Sequence, residues 1–78
     1  MHELSITRNV VAICAERCDG AMRVTRVRLE IGRDAGVLAD SVRFCFDICA
    51  RGTVLEGATL EIAEPPGAAL NIKEMEVA

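Results

Sequence analysis

Apolar residues near the start of the chain recur at the spacing of a helix. Ile6, Val10 and Ile13 lie three or four positions apart, so they share one face when the segment is helical. Gly20 follows this run, and glycine is the residue that most often ends a helix. The pattern predicts a first helix over residues 5–18.

A second apolar stripe of helical period lies in the middle of the chain. Cys45, Phe46 and Cys49 would share one face of a helix. Asp40 precedes the stripe and is of the type that caps helix N-termini, while a glycine closes the segment. We therefore predict a second helix that Asp40 caps and that ends near residues 51–52.

Three further segments alternate polar and apolar residues in the manner of β-strands. They cover residues 23–31, 58–64 and 70–77. Pro65 and Pro66 end the second strand sharply, and the short connection after them predicts a tight hairpin into the third.

The predicted order is helix, strand, helix, strand, strand. Neither a helix with one apolar stripe nor a half-apolar strand can bury its apolar side alone. We therefore expect an α+β fold in which two helices pack on one face of a small, mixed, three-stranded sheet. The chain has 78 residues, enough for one such domain, and neither a repeat nor a linker divides it.

Composition disfavours several classes of protein. Although 51% of the residues are hydrophobic, no apolar run approaches the ~20 residues of a membrane-spanning helix. The start of the chain lacks the basic region and apolar stretch of a secretory signal, so we expect a cytoplasmic protein with reduced cysteines. A net charge of -3, spread over both signs, and the absence of Tyr and Trp disfavour a nucleic-acid partner.

The most reactive chemistry of the sequence lies at its start, in Met1, His2 and Glu3. The terminal amine, the amide nitrogen of His2 and the Nδ1 atom of its imidazole can close two fused chelate rings in one plane. Square-planar nitrogen donors suit Ni(II) and Cu(II) and do not suit Zn(II). Glu3 could add an amide donor or an outer-sphere partner. These residues therefore offer a terminal site for Ni(II) or Cu(II).

The residue types also support a plainer interpretation of this terminus. A histidine after the initiator Met is commonly an exposed end without a role. His2 is also the only histidine, and no Ser or Cys stands in a recognisable pairing with a general base. The sequence therefore does not predict an enzyme.

The four cysteines form two pairs at helical spacing, Cys14 with Cys18 and Cys45 with Cys49. Each pair could present two thiolates to one metal, and all four could meet if both helices covered the same sheet face. Cys45 and Cys49 share their stripe with a phenylalanine, however, and buried cysteines behave as small hydrophobic residues. We expect core cysteines. The alternative is a thiol metal site or redox switch, which requires exposed thiols of lowered pKa.

Several segments, taken in order, resemble the HypA/HybF family of nickel metallochaperones. They are MHELSI at residues 1–6, RVTRVRLEIG at 23–32, VRFCFD at 42–47, RGT at 51–53, EGA at 56–58, LEI at 60–62 and IKEMEV at 72–77. The resemblance covers nearly the whole chain, and it is far more specific than the first three residues alone.

The resemblance implies a single nickel-binding α/β domain over residues 1–78. Such a protein would bind Ni(II) through Met1, His2 and Glu3. It would pass the metal, with a GTPase partner of the HypB type, to a nickel enzyme precursor such as the hydrogenase large subunit. Neither catalysis nor a membrane is implied.

This chain departs from the family at two places. The family has a zinc-binding domain with two cysteine pairs, and it would lie between about residues 65 and 70, where this chain has only PPGAA. The helical cysteines do not match those zinc ligands, so we expect no zinc. Asp34 is the second departure, because the family usually has an apolar residue in this turn.

The departures leave a second class of function open. The chain could be an engineered or degenerate scaffold, an interaction module that lost the zinc domain, keeps the fold and delivers no nickel. A loop shortened between Glu64 and Leu70 could also favour exchange of the C-terminal strand between two chains. That exchange would give a homodimer.

Overall fold

The structure, a computed structural model, describes residues 2–20 and 22–78. Its elements follow in the order α1 (His2–Arg17), β1 (Val24–Ile31), α2 (Ala39–Ala50), β2 (Thr59–Ala63) and β3 (Leu70–Val77). This order confirms the prediction of two helices and three strands. No helix within the described ranges is long and apolar enough to cross a membrane.

The strands form one mixed sheet in the order β2-β1-β3. β1 runs parallel to β2 and antiparallel to β3. A parallel pair needs a long crossover connection, and α2 with its flanking loops supplies it. The predicted hairpin between β2 and β3 is therefore wrong, because β1 lies between them.

The connection from β2 to β3 passes over the end of β1 and is fixed there by backbone hydrogen bonds. The N–H groups of residues 32–34 each donate to a carbonyl oxygen of residues 65–69, at 2.8–2.9 Å. Gly32 is buried, and a Cβ at its position would lie 2.2 Å from the carbonyl oxygen of Gly67. Only glycine allows this close approach of two backbones.

The core lies between the sheet and the two helices. Val27, Leu29 and Ile31 point from β1 to this side, and each is at most 1% exposed. Val10 of α1 and Val42 of α2 belong to the same buried cluster. Both helices therefore cover one face of the sheet, as the α+β prediction states.

The opposite face of the sheet is open and charged. Arg26 and Arg28 of β1 lie between Glu61 of β2 and Glu74 and Glu76 of β3. The hydrogen bond from Arg28 is the largest cause that lowers the pKa of Glu61. These side chains are part-exposed, so solvent screens each pair and a single pair adds little to stability. The network of pairs keeps the uncovered face polar, so these carboxylates belong to a solvated surface.

The start of α2 differs from the prediction. Leu38 occupies the N-cap position, and no side chain caps the helix. Asp40 lies inside the first turn, where its carboxylate accepts a hydrogen bond of 2.7 Å from Arg43. The prediction that Asp40 caps this helix is wrong.

Candidate metal centre at the N-terminus

Two of the three predicted metal ligands, His2 and Glu3, belong to the first turn of α1 and not to a segment ahead of it. His2 is the first helical residue and Glu3 follows, although the sequence predicted a helix that starts at residue 5. The apolar pattern begins only at Ile6, so it carried no signal for the earlier start. Met1 and the side chain of His2 lie outside the described part of the chain.

The start of a helix suits an amide nitrogen that must bind a metal. The first four N–H groups of any helix have no acceptor in a preceding turn. The amide of His2 can therefore give up its proton without breaking a helical hydrogen bond. The positive end of the helix dipole also stabilises the negative charge that deprotonation leaves on the nitrogen.

Glu3 ties this first turn to the start of α2. Its Oε2 atom accepts a hydrogen bond of 3.0 Å from the backbone N–H of Leu38. Its carbonyl oxygen accepts a bond of 2.6 Å from the hydroxyl of Thr7, and Glu3 as a whole is only 8% exposed. The sequence did not predict a role for Leu38. Its contribution is a backbone N–H, which nearly every residue type carries.

The hydrogen bond from Leu38 favours the charged form of the Glu3 carboxyl. It is the largest of the causes that lower the pKa of this carboxyl from 4.5 to about 2. A carboxyl with a lowered folded-state pKa stabilises the fold above its unfolded pKa, and the stabilisation disappears as the pH falls through the folded value. For Glu3 this loss falls between pH 4.5 and about pH 2.

We expect the Glu3→Gln protein to be less stable than the native protein at neutral pH. Glutamine still offers an oxygen to the N–H of Leu38, but it carries no charge. The difference in unfolding free energy should persist to about pH 5 and shrink between pH 4.5 and about pH 2. Urea unfolding of both metal-free proteins across this range measures it.

Glu16→Gln is the matched control, because Glu16 is exposed on the same helix. It should change the unfolding free energy little at any pH. Native and Glu3→Gln proteins of equal stability at neutral pH, or a difference that grows in acid, would disprove the stabilising role of the Glu3 charge.

A shallow groove of about 340 Å³ borders the same turn. Its walls come from both helices and consist of Glu3, Leu4, Asp40, Ser41, Phe44 and Cys45. Phe44 is 71% exposed and Leu4 is 40% exposed, so the groove has an apolar rim. The start of α1 therefore opens to solvent on this side, beside carboxylates from both helices.

The cysteines do not form a metal cluster in the described residues. No group of at least three His, Cys, Asp or Glu side chains there could hold a metal ion. Cys14 is 1% exposed, and burial raises the pKa of its thiol, which is the opposite of an activated thiol. Cys18 and Cys49 pack partly against the core. The core prediction is confirmed fully for Cys14 and in part for these two, while Cys45 lies at the groove.

The sequence of this chain is strongly similar to the sequences of known proteins. The family model for hydrogenase/urease nickel incorporation metallochaperones, hypA, matches residues 1–76. The hydrogenase maturation factor HypA of Nostoc punctiforme is 61% identical over 67 residues, which are 86% of this chain and 58% of that protein. HypA of Rippkaea orientalis is 64% identical over 64 residues, or 82% of this chain and 55% of that protein. The chain thus spans less than two thirds of the length of these relatives.

Proposed function

The chain belongs to the HypA family of nickel-incorporation metallochaperones, and from this membership we propose that it carries Ni(II) at its N-terminus for the maturation of a nickel enzyme. The observation that supports this most directly is the family match, which begins at residue 1 and so includes the Met1, His2 and Glu3 start. A scaffold that keeps the fold and delivers no nickel is not favoured by this match.

The proposed donors are the amine of Met1, the amide nitrogen of His2 and its imidazole Nδ1. All are nitrogen atoms that can share a plane, which suits Ni(II). Glu3 completes the unit as the residue whose carboxylate fixes the first helical turn and whose amide nitrogen can serve as a further donor. Nickel is the cargo of the protein, and zinc has no part in the proposal.

Uptake and release of the metal should depend on pH. Nickel must displace protons from the terminal amine, whose ordinary pKa is about 7.7–8.0, and from an amide. Metal binding of this kind releases protons, so acid favours release. The same dependence on pH provides a route for transfer. A ligand of the acceptor protein can displace one nitrogen from Ni(II), and the displaced nitrogen then takes up a proton.

The proposed partners follow from the family role. A GTPase of the HypB type would take part in the transfer, and a hydrogenase large subunit precursor in the cytoplasm would receive the nickel. Delivery changes the ligands of one ion and makes or breaks no bond of an organic substrate, so the proposal includes no catalytic reaction.

Maturation of a hydrogenase in cells that lack their own HypA tests this function. We expect the native chain to restore nickel-dependent hydrogenase activity, and the His2→Ala protein to restore none at the same expression level. Ser5→Ala, an exposed change in the same helix, is the control and should restore activity. A native chain that binds nickel in vitro but restores no activity would reject delivery and favour the scaffold.

A further inference from the structure

Strand β3 forms one outer edge of the sheet. It pairs with β1 on one side, and no described strand lies on its other side. Edge strands present a row of backbone N–H and C=O groups to which another strand can add. The eight residues of β3 make this edge longer than the β2 edge, which has five.

A bulge divides β3 into two halves with opposite alternation. Leu29 is opposite Ile72 and the preceding Arg28 is opposite Glu74, so Lys73 has no partner position on β1. The Nζ atom of Lys73 lies 3.9 Å from Oε1 of Glu30, on the open face of the sheet. Lys73 and Glu74 therefore follow each other on the same face.

The bulge makes the faces of β3 symmetric about the bond between Lys73 and Glu74. Four residues lie opposite buried β1 residues and face the helices: Leu70, Ile72, Met75 and Val77. The others face the open side: Asn71, Lys73, Glu74 and Glu76. Reading β3 from either end therefore gives the same series of inward and outward positions.

From this symmetry we infer that β3 pairs antiparallel with β3 of a second copy of the chain, with Lys73 opposite Glu74 of the second copy. In this register Ile72 meets Met75 and Leu70 meets Val77 on the helix side. In this register each even-numbered residue lies opposite an odd-numbered residue of the second copy. In a strand without a bulge, even-numbered and odd-numbered residues face opposite sides of the sheet, so paired side chains would not share a face. The bulge removes that mismatch for every pair.

Charge supports the same register. Lys73 of each copy lies opposite Glu74 of the other, so the two-fold axis creates two pairs of opposite charge. Lys73 and Glu74 are 51% and 49% exposed at their side chains, so both can reach across the edge. An alignment with Lys73 opposite Lys73 would instead place like charges together.

An apolar groove beside β3 supports a covering partner as well. A cavity of about 700 Å³ lies between α1 and the start of β3, and Ile6, Ile13, Leu70 and Ile72 line part of it. Ile13 is 40% exposed and Val77 is 42% exposed. In the dimer, the helix-facing side chains of the second β3 would lie next to this groove and continue the apolar face of the sheet. The α1 helix of the second copy would approach Ile13.

This dimer differs from strand exchange, because each β3 stays paired with its own β1. Bulges and lysines often prevent an edge from pairing. Here the bulge has the reverse effect, since it gives the strand matching faces in a two-fold register. The lysine finds a carboxylate opposite it in that register.

Charge reversal tests the interface. Lys73→Glu would place a glutamate opposite Glu74 of the second copy, and Glu74→Lys would place a lysine opposite Lys73 of the second copy. In each protein both pairs become like-charged, so we expect the dissociation constant of the homodimer to rise at least about tenfold. An equal mixture of the two variants restores opposite charges at both pairs, and we expect it to form a heterodimer as tight as the native dimer.

Analytical ultracentrifugation of the native chain, each variant and the mixture measures this, and circular dichroism checks that each variant folds. Glu64→Lys, a charge reversal at an exposed residue outside β3, is the control and should leave the dimer unchanged. A native chain that stays monomeric at the highest soluble concentration would overturn the proposal. Variants that dimerise like the native chain would also overturn it, and would indicate strand exchange or another interface.

Discussion

Replacing Gly32 with alanine should lower the free energy of unfolding by about 3 kcal/mol, near the upper end for an overpacked buried site. The added Cβ would lie 2.2 Å from the carbonyl oxygen of Gly67, and that atom belongs to a backbone, so no side chain can rotate away. The connection over residues 65–69 must move, and its hydrogen bonds to residues 32–34 weaken with it. Urea unfolding of both proteins measures the difference.

Gly20→Ala is the matched control, because nothing lies within 4 Å of a Cβ built at Gly20. It should change stability by less than about 0.5 kcal/mol, as exposed substitutions usually do. A Gly32→Ala protein as stable as the native protein would show that the connection can shift without loss of stability. The close packing of the two loops would then not hold β2 and β3 in place.

The second large effect concerns nickel. His2→Ala should weaken Ni(II) binding by more than about 100-fold. Loss of a residue that only supports a metal ligand costs up to about 100-fold in affinity, and loss of the ligand itself should cost more. The substitution removes the imidazole and one of the two fused chelate rings. It should leave the unfolding free energy of the metal-free protein nearly unchanged. Titration calorimetry in competition with a chelator of known affinity gives the ratio.

Ser5→Ala again serves as the control in this titration and should bind nickel as the native protein does. A His2→Ala protein with native affinity would exclude the imidazole of His2 as a ligand. Nickel would then have to bind elsewhere, and the cysteines would be the first residues to replace.

The elements of the fold could be predicted from the sequence because each has a local pattern. β3 begins and ends where its alternation predicts, at Leu70 and Val77. The sheet order could not be predicted in the same way. A short connection after β2 is compatible with a hairpin, and only the backbone bonds between residues 65–69 and 32–34 show that it crosses the end of β1.

The start of α1 shows a similar limit. Residues 2–4 carry no apolar repeat that extends the pattern of Ile6, so the pattern predicted a later start. The hydrogen bond between Glu3 and Leu38 joins residues 35 positions apart, and no local pattern reports such a contact. The prediction that Asp40 caps α2 failed for a related reason. Aspartate is common both at helix N-caps and in the first helical turn, so the residue type does not distinguish the two positions.

The candidate site was predicted only with help from the resemblance. Donor chemistry alone made Met1 and His2 a candidate site for Ni(II) or Cu(II), but an exposed terminus without a role explained the same residues. Several further segments that resemble the family in order decided between these interpretations, and the family match over residues 1–76 supports that choice. The bulge at Lys73 does have a sequence signal, because Lys73 and Glu74 are two consecutive polar residues between Ile72 and Met75 and shift the alternation by one position.

The visible absorption of the nickel-loaded protein, compared with that of a form extended by two residues ahead of Met1, tests the central claim most directly. The extension turns the terminal amine into an ordinary amide and leaves every side chain in place. We predict that the native chain takes up one equivalent of Ni(II) with the absorption band of a square-planar nitrogen site, and that the extended chain shows no such band. An extended chain with the same band and the same stoichiometry would contradict a nickel site at the N-terminus.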